Sequence, residues 1–214
     1  MEATGRVKGA LLLARMSYVR GMGPMTANRI LERIPQLDRE LLEGLLVYPA
    51  FWYPTEVLRR LDDAVAETLA NGDRASILVD VGHFSADQNF GPTGALHTWV
   101  REDDPHALLR EIPRIQASLF GSGEHSYERL GDGSAIVRAL EGDGHEGDAC
   151  LTTVGWLRRA IELCGGRDVQ VSETRCLAHG EACCEFRCEW VLPAHAGRPA
   201  AVATSEQAAA VGPG

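Results

Sequence analysis

No cysteine occurs before residue 150 of this 214-residue chain, no stretch is rich in lysine or arginine, and no apolar run is long. Each absence excludes something. With a formal net charge of −9 at pH 7 and no clustered cations, the chain would repel a phosphate backbone, so nucleic acid is not an expected partner. The apolar run Ala10–Ala14 is too short for a signal-peptide core and far too short to cross a bilayer, which implies no membrane association and a cytoplasmic protein. Catalytic signatures are also missing. There is no H-E-x-x-H, no G-x-x-x-x-G-K, no G-x-S-x-G and no dinucleotide-binding glycine fingerprint. His83, Ser85 and Asp87 alternate, but alternation on a loop or strand edge is not a triad, and solvated polar residues explain it better. No repeat is visible, which excludes a solenoid.

What is present is ordinary globular material, 45% hydrophobic and 24% charged, enough for one core. Val7–Leu13 reads as a strand leading to a loop at Gly21, Gly23 and Pro24. Helical spacing follows around Leu31 and Ile34, and again over Leu37–Val47. Val57, Leu58, Leu61, Val65 and Leu69 then share one face of a helix that stops at Asn71-Gly72. Ala75–Phe90 is ambiguous. Asp104-Pro105 reads as the cap and first position of a helix through Ile112, which Pro113 must kink or restart. From Glu124 the period becomes extended. Tyr127–Leu130 and Ala135–Leu140 form a hairpin about Gly131-Asp132-Gly133, and a Gly/Asp-rich loop spans Gly142–Asp148. A helix carrying Leu151, Val154, Leu157, Ile161 and Cys164 leads to a second hairpin, Asp168–Arg175 and Cys183–Trp190, turning near His179-Gly180. The expected class is α+β, with helices packed on an antiparallel sheet. One domain is expected over residues 1–192, including a helix-plus-hairpin module at 149–190, with residues 193–214 a disordered tail.

All six cysteines, Cys150, Cys164, Cys176, Cys183, Cys184 and Cys188, lie in the last third of the chain. Without a secretory signal they read as thiols or metal ligands. In the last strand Cys184, Phe186, Cys188 and Trp190 face the core, and Cys183, Glu185, Arg187 and Glu189 face water. Cys188 lies about 13 Å along the strand from Cys184, too far to share one ion. Cys164, on an apolar helical face, reads as a small core residue. Cys150, Cys176 and Cys184 are left as a three-thiolate set one ligand short of tetrahedral. Glu173 is the reachable fourth donor, with Cys183 or water as alternatives. A regular strand would point Glu173 and Cys176 to opposite faces, so a bulge at Thr174-Arg175 must unite them. Closed by four ligands, zinc would act as a structural staple and leave no position for an activated water. His97, Trp99 and Tyr127 are the expected lining of a pocket for a small apolar or aromatic ligand, with core packing the alternative.

Glu173-x-x-Cys176-x7-Cys184, with His179-Gly180 in the turn and Cys150 leading the preceding helix, resembles the 4-vinyl reductase domain. The spacing is also similar to the zinc site in sensor domains of phenol-responsive transcription activators, whose Cys, Glu, Cys and Cys ligands map onto Cys150, Glu173, Cys176 and Cys184. The chain to Trp190, including Trp52-Tyr53-Pro54, Gly155-Trp156 and Cys164-Gly165-Gly166, looks like a family described as restricted to the Myxococcales, which supplies no activity. The resemblance implies a stand-alone small-molecule-binding or sensory domain with Zn2+ as a structural cofactor. Such a domain would signal through a homodimer or a regulatory protein partner. The alternatives are an interaction scaffold without a ligand, or an enzyme or accessory factor acting on tetrapyrrole precursors. Nothing in the sequence supplies a hydride, so the expectation is a non-catalyst. A haem-based gas sensor is a third reading, from a related fold. The Tyr-x-Ser-x-Arg motif of those sensors is absent, and no histidine stands out as the iron ligand.

Overall fold

The computed structural model describes residues 5–44, 46–141 and 148–193. Most of the expected Val7–Leu13 strand is helix. Only Arg6–Lys8 (β1) is extended, pairing antiparallel with Trp52–Pro54 (β2), and α1 runs from Gly9 to Gly21. The reason is composition: Ala10-Leu-Leu-Leu-Ala14 is built from strong helix formers, and its continuous apolarity reflects burial on most sides. Carbonyls of Phe51 and Pro49 accept from the Gly9 and Ala10 N–H groups, satisfying donors that a helix start leaves free.

Helices α2 (Pro24–Leu31), α3 (Gln36–Glu43) and α4 (Thr55–Leu69) follow. The helix expected over Leu37–Val47 stops earlier, at Gly44, and Leu45 lies outside the described residues. The ambiguous stretch is α5 (Arg74–Phe90), started by Asp73, whose carboxylate accepts from the Ser76 N–H at 3.0 Å. Its buried residues Leu78, Val81, Gly82, Ser85, Ala86, Asn89 and Phe90 spread around the helix because α5 packs against α1 and α4 as well as the C-terminal half. Asp104 caps α6 (Pro105–Arg110) by accepting from the Ala107 N–H, and Pro113 sits in the first turn of a separate helix, α7 (Ile112–Leu119).

The second half is a sheet of strand order β3-β4-β6-β5, entirely antiparallel. Its strands are β3 (Glu124–Gly131), β4 (Ser134–Glu141), β5 (Arg167–Arg175) and β6 (Cys184–Val191), with α8 (Ala149–Leu163) between the two hairpins. The α+β class, with helices on an antiparallel sheet, is as the sequence implies. The loop expected at Gly142–Asp148 and the expected tail fall on residues 142–147 and 194–214, outside the described residues. Helix α8 covers the sheet through β5 and β6 and meets α5 on its other side. That crossing is at backbone contact. A Cβ built on Gly82 would lie 1.9 Å from the Thr152 carbonyl oxygen, and one built on Gly155 would lie 1.9 Å from that of Val79. One contiguous core runs from Val7 to Trp190 through this junction.

Charge is buried in the helical half. Arg15 on α1 donates from Nε to Asp62 of α4 at 2.7 Å and from Nη1 to the Ser85 hydroxyl of α5, tying three helices together. Burial raises the Asp62 carboxyl against the lowering effect of Arg15. Ser85 thus turns away from His83 and Asp87, which join Glu162 and Arg159 in an ion-pair cluster across the α5–α8 groove. These three residues form no triad, because positions two apart on a helix lie on opposite sides.

Candidate metal centre

Three elements converge at one end of the sheet. Cys150 sits in the first turn of α8, Glu173 near the end of β5, Cys176 just beyond it, and Cys184 opens β6. The bulge the sequence requires is present: Glu173 pairs with Phe186 but Arg175 pairs with Glu185, so the register slips between them. The chain then makes a single 3-10 turn, Leu177–His179, closed by Gly180 at φ 84°, a backbone conformation that favours glycine. Backbone N–H groups of His179 and Glu181 both donate to the Cys176 carbonyl, and the Leu177 N–H donates to Cys184 Sγ at 3.3 Å. The turn therefore aims a backbone dipole at a sulfur.

The four donor atoms of Cys150, Glu173, Cys176 and Cys184 all lie within 4.8 Å of one another. The Cys150 Sγ is 3.4 Å from that of Cys184 and 3.9 Å from that of Cys176, far beyond disulfide length. All three cysteines are buried, and Glu173 Oε1 is buried with no hydrogen-bond partner. Burial pushes the Cys150 thiol far up, with further contributions from Glu173 and Cys184, and pushes Cys176 up with help from Glu173. Burial and acidic neighbours hold the Cys150 and Cys176 thiols against ionisation, and a cation among the four donors would reverse that effect.

The other cysteines separate as expected in part. Cys188 and Cys164 are buried outside the cluster, and burial alone raises Cys188 to about 12. Cys183 is a correction. It was expected to face water, yet it is 5% exposed, because it precedes the first residue of β6 and belongs to the turn, where strand alternation does not apply. The structure does not gather the residues expected to line a ligand pocket into one hydrogen-bonded group. His97 donates from Nδ1 to the Gly94 carbonyl, Trp99 packs on the core, and Tyr127 donates to His106 Nδ1 at 2.7 Å. Sequence reasoning missed that last pair. His106 is 5% exposed, its ring stacks edge-on against Trp190 at 4.7 Å, and its Nε2 meets the Asp132 carbonyl at 2.9 Å. No spacing rule links a first-turn helix residue to a strand twenty-one positions on, so the sequence carries no signal for it.

No protein-family model matches the chain, and no curated protein matches it in sequence. Solved structures do match. An H-NOX protein from S. oneidensis in the Fe(II)NO ligation state superposes with a TM-score of 0.66 at 16% identity, covering 86% of this chain and 99% of that one. The chain has the H-NOX fold. The H-NOX domain from Shewanella oneidensis in the Fe(II)CO state gives 0.62 at 18% identity over 86% and 98% of the two chains. Fe(II) unliganded H-NOX from K. algicida gives 0.60 at 10% identity over 88% and 98%. These findings overturn the resemblance to the 4-vinyl reductase domain and to the Myxococcales-restricted family. The ligand correspondence drawn from that resemblance loses its support, and the cluster stands on its geometry alone. Zinc as the cofactor is corrected too, since the solved H-NOX structures are in Fe(II) states, which makes iron, carried by haem, the group this fold implies.

The residues present do not fit that group. His106 is the buried histidine among the described residues, and both of its ring nitrogens are engaged. A carbonyl only accepts, so the proton facing Asp132 is on Nε2, and Nδ1 takes the hydroxyl proton of Tyr127. Nε2 then carries a proton and the Nδ1 lone pair is taken by the Tyr127 hydroxyl, so neither nitrogen is open to a metal.

Proposed function

We propose that this chain is a small-molecule-binding or regulatory domain on the H-NOX fold, built around a thiophilic metal ion held by Cys150, Glu173, Cys176 and Cys184. The observation that carries the metal reading is the mutual approach within 4.8 Å of donors from three buried cysteines and a half-buried glutamate, whose Oε1 is buried with no hydrogen-bond partner. Two thiolates on a tetrahedral ion with metal–sulfur bonds of about 2.3 Å stand roughly 3.8 Å apart. The sulfur separations of 3.4 and 3.9 Å bracket that figure. Such an ion would pin the start of α8 to the β5–β6 hairpin.

The regulatory part of the reading draws on the fold, solved examples of which are in Fe(II)NO and Fe(II)CO states, and on a metal set that leaves no open coordination position. Residues 1–192 act as one folding unit in this proposal, supported by the single core that runs through the α5–α8 junction. Among the described residues no helix is long and apolar enough to cross a membrane.

Elemental analysis of purified protein tests the proposal. The expected result is about one transition-metal ion per chain, lost in Cys176→Ser and Cys184→Ser and retained in Cys183→Ser and Cys164→Ser. Metal-free folded protein, or equal loss in all four variants, contradicts it.

A further inference from the structure

We infer that this protein is a haem-free version of the H-NOX fold in which the buried histidine is a latch and not an iron ligand. The inference does not depend on the thiolate centre. It rests on three observations beyond the absent motif.

The first is the bonding of His106. It joins α6 to β3 through the Tyr127 hydroxyl, to the β3–β4 turn through the Asp132 carbonyl, and to β6 through the face of Trp190. Burial raises the Tyr127 phenol, so it keeps its proton and donates. Freeing either ring nitrogen for iron would break a hydrogen bond of this buried ring.

The second is charge. The cavity of about 550 Å³ beside His106 is lined by Glu102, Asp103, Asp104, Asp132, Arg129 and Leu192. Four carboxylates face it, and its one arginine is already bonded to Asp132 at 2.8 Å. Haem carries two propionate carboxylates, which need cations or hydrogen-bond donors, and this lining repels them.

The third is space. Gly82 and Gly155 bring α5 and α8 to backbone contact, so at that crossing there is no room for a flat group between the helical half and the helix that covers the sheet. Beside that crossing Phe90 and Trp156 pack with ring centroids 5.0 Å apart.

The test is expression with a haem precursor supplied, followed by absorbance, pyridine haemochromogen assay and hemin titration of wild type, His106→Ala and Tyr127→Phe. The expected result is no stoichiometric Soret band in any of the three. Melting temperatures should fall by about 5 to 10 °C in His106→Ala and by a smaller amount in Tyr127→Phe, with or without added haem. A one-to-one Soret species lost on His106→Ala overturns the inference, and so does an unchanged melting temperature in both variants. If His106→Ala fails to fold, Tyr127→Phe alone decides between these outcomes. Metal content in the same samples should follow Cys184 and ignore His106, so a failure here is separable from a failure of the metal centre.

Discussion

Cys184→Ser should lower the melting temperature by about 10 to 15 °C, the equivalent of about 3 to 5 kcal/mol for a domain of this size. The side chain is fully buried, its sulfur is 3.4 Å from that of Cys150, and it accepts the Leu177 N–H. On the proposed metal reading, replacing it by a hydroxyl removes one of three sulfur ligands, and the remaining set would no longer hold an ion. What is left behind costs more than the lost bond. The Glu173 oxygen and two thiols are then left together with no cation among them. Apparent binding energies of structural thiolate-held metals are on the order of 10 kcal/mol, so the loss is a substantial fraction of total stability. Thermal melts of the variant, and of wild type stripped with a strong chelator, should coincide within a few degrees. A variant that melts within about 2 °C of wild type would show that the cluster is plain buried thiol.

Gly155→Ala should reverse the usual sign of a helical glycine substitution. Alanine in place of glycine inside a helix ordinarily gains about 1 kcal/mol. Here the new Cβ would sit 1.9 Å from the Val79 carbonyl oxygen and 3.0 Å from the His83 nitrogen, both backbone atoms that no rotamer change can move. Helices α5 and α8 must separate by more than an ångström, opening the packing around Phe90 and Trp156. The expected loss is about 3 kcal/mol or more, with Gly82→Ala close behind because it meets the Thr152 carbonyl at the same distance. Gly21→Ala is the control, since its Cβ meets nothing within 4 Å. Urea midpoints for the three variants measure the difference. Stabilisation of Gly155→Ala would mean that the two helices are not in backbone contact.

These two effects sit in parts of the chain that differ in how readily the sequence discloses them. The cluster of Cys150, Glu173, Cys176 and Cys184 is legible because its ingredients are local: three cysteines and a glutamate on a helix start and one hairpin, with strand alternation sorting Cys184 and Cys188 inward. Even the bulge follows from the demand that Glu173 and Cys176 meet. Cys183 is misjudged because alternation was carried one residue past the end of the strand. In the N-terminal half the signal is weaker for a physical reason. Helices α1 and α5 are buried on several sides, so their apolar residues show no dominant face, and a buried helix then resembles a buried strand. Their mutual anchoring by Arg15, Asp62 and Ser85 spans seventy positions and leaves no local trace. The family assignment fails for a related reason. Cysteine spacing can recur wherever a helix and a hairpin meet at a metal, whereas the likeness that identifies the fold is three-dimensional, at 10 to 18% identity.

The most direct test of the metal centre is X-ray absorption at the edge of whichever transition metal elemental analysis finds. Three sulfur scatterers at about 2.3 Å and one oxygen at about 2.0 to 2.2 Å are the expected shell, and Glu173→Gln should perturb the oxygen contribution while leaving the sulfurs. A shell of four sulfurs would bring in Cys183 and displace Glu173. A shell dominated by nitrogen, or no metal in folded protein, would contradict the account at its centre.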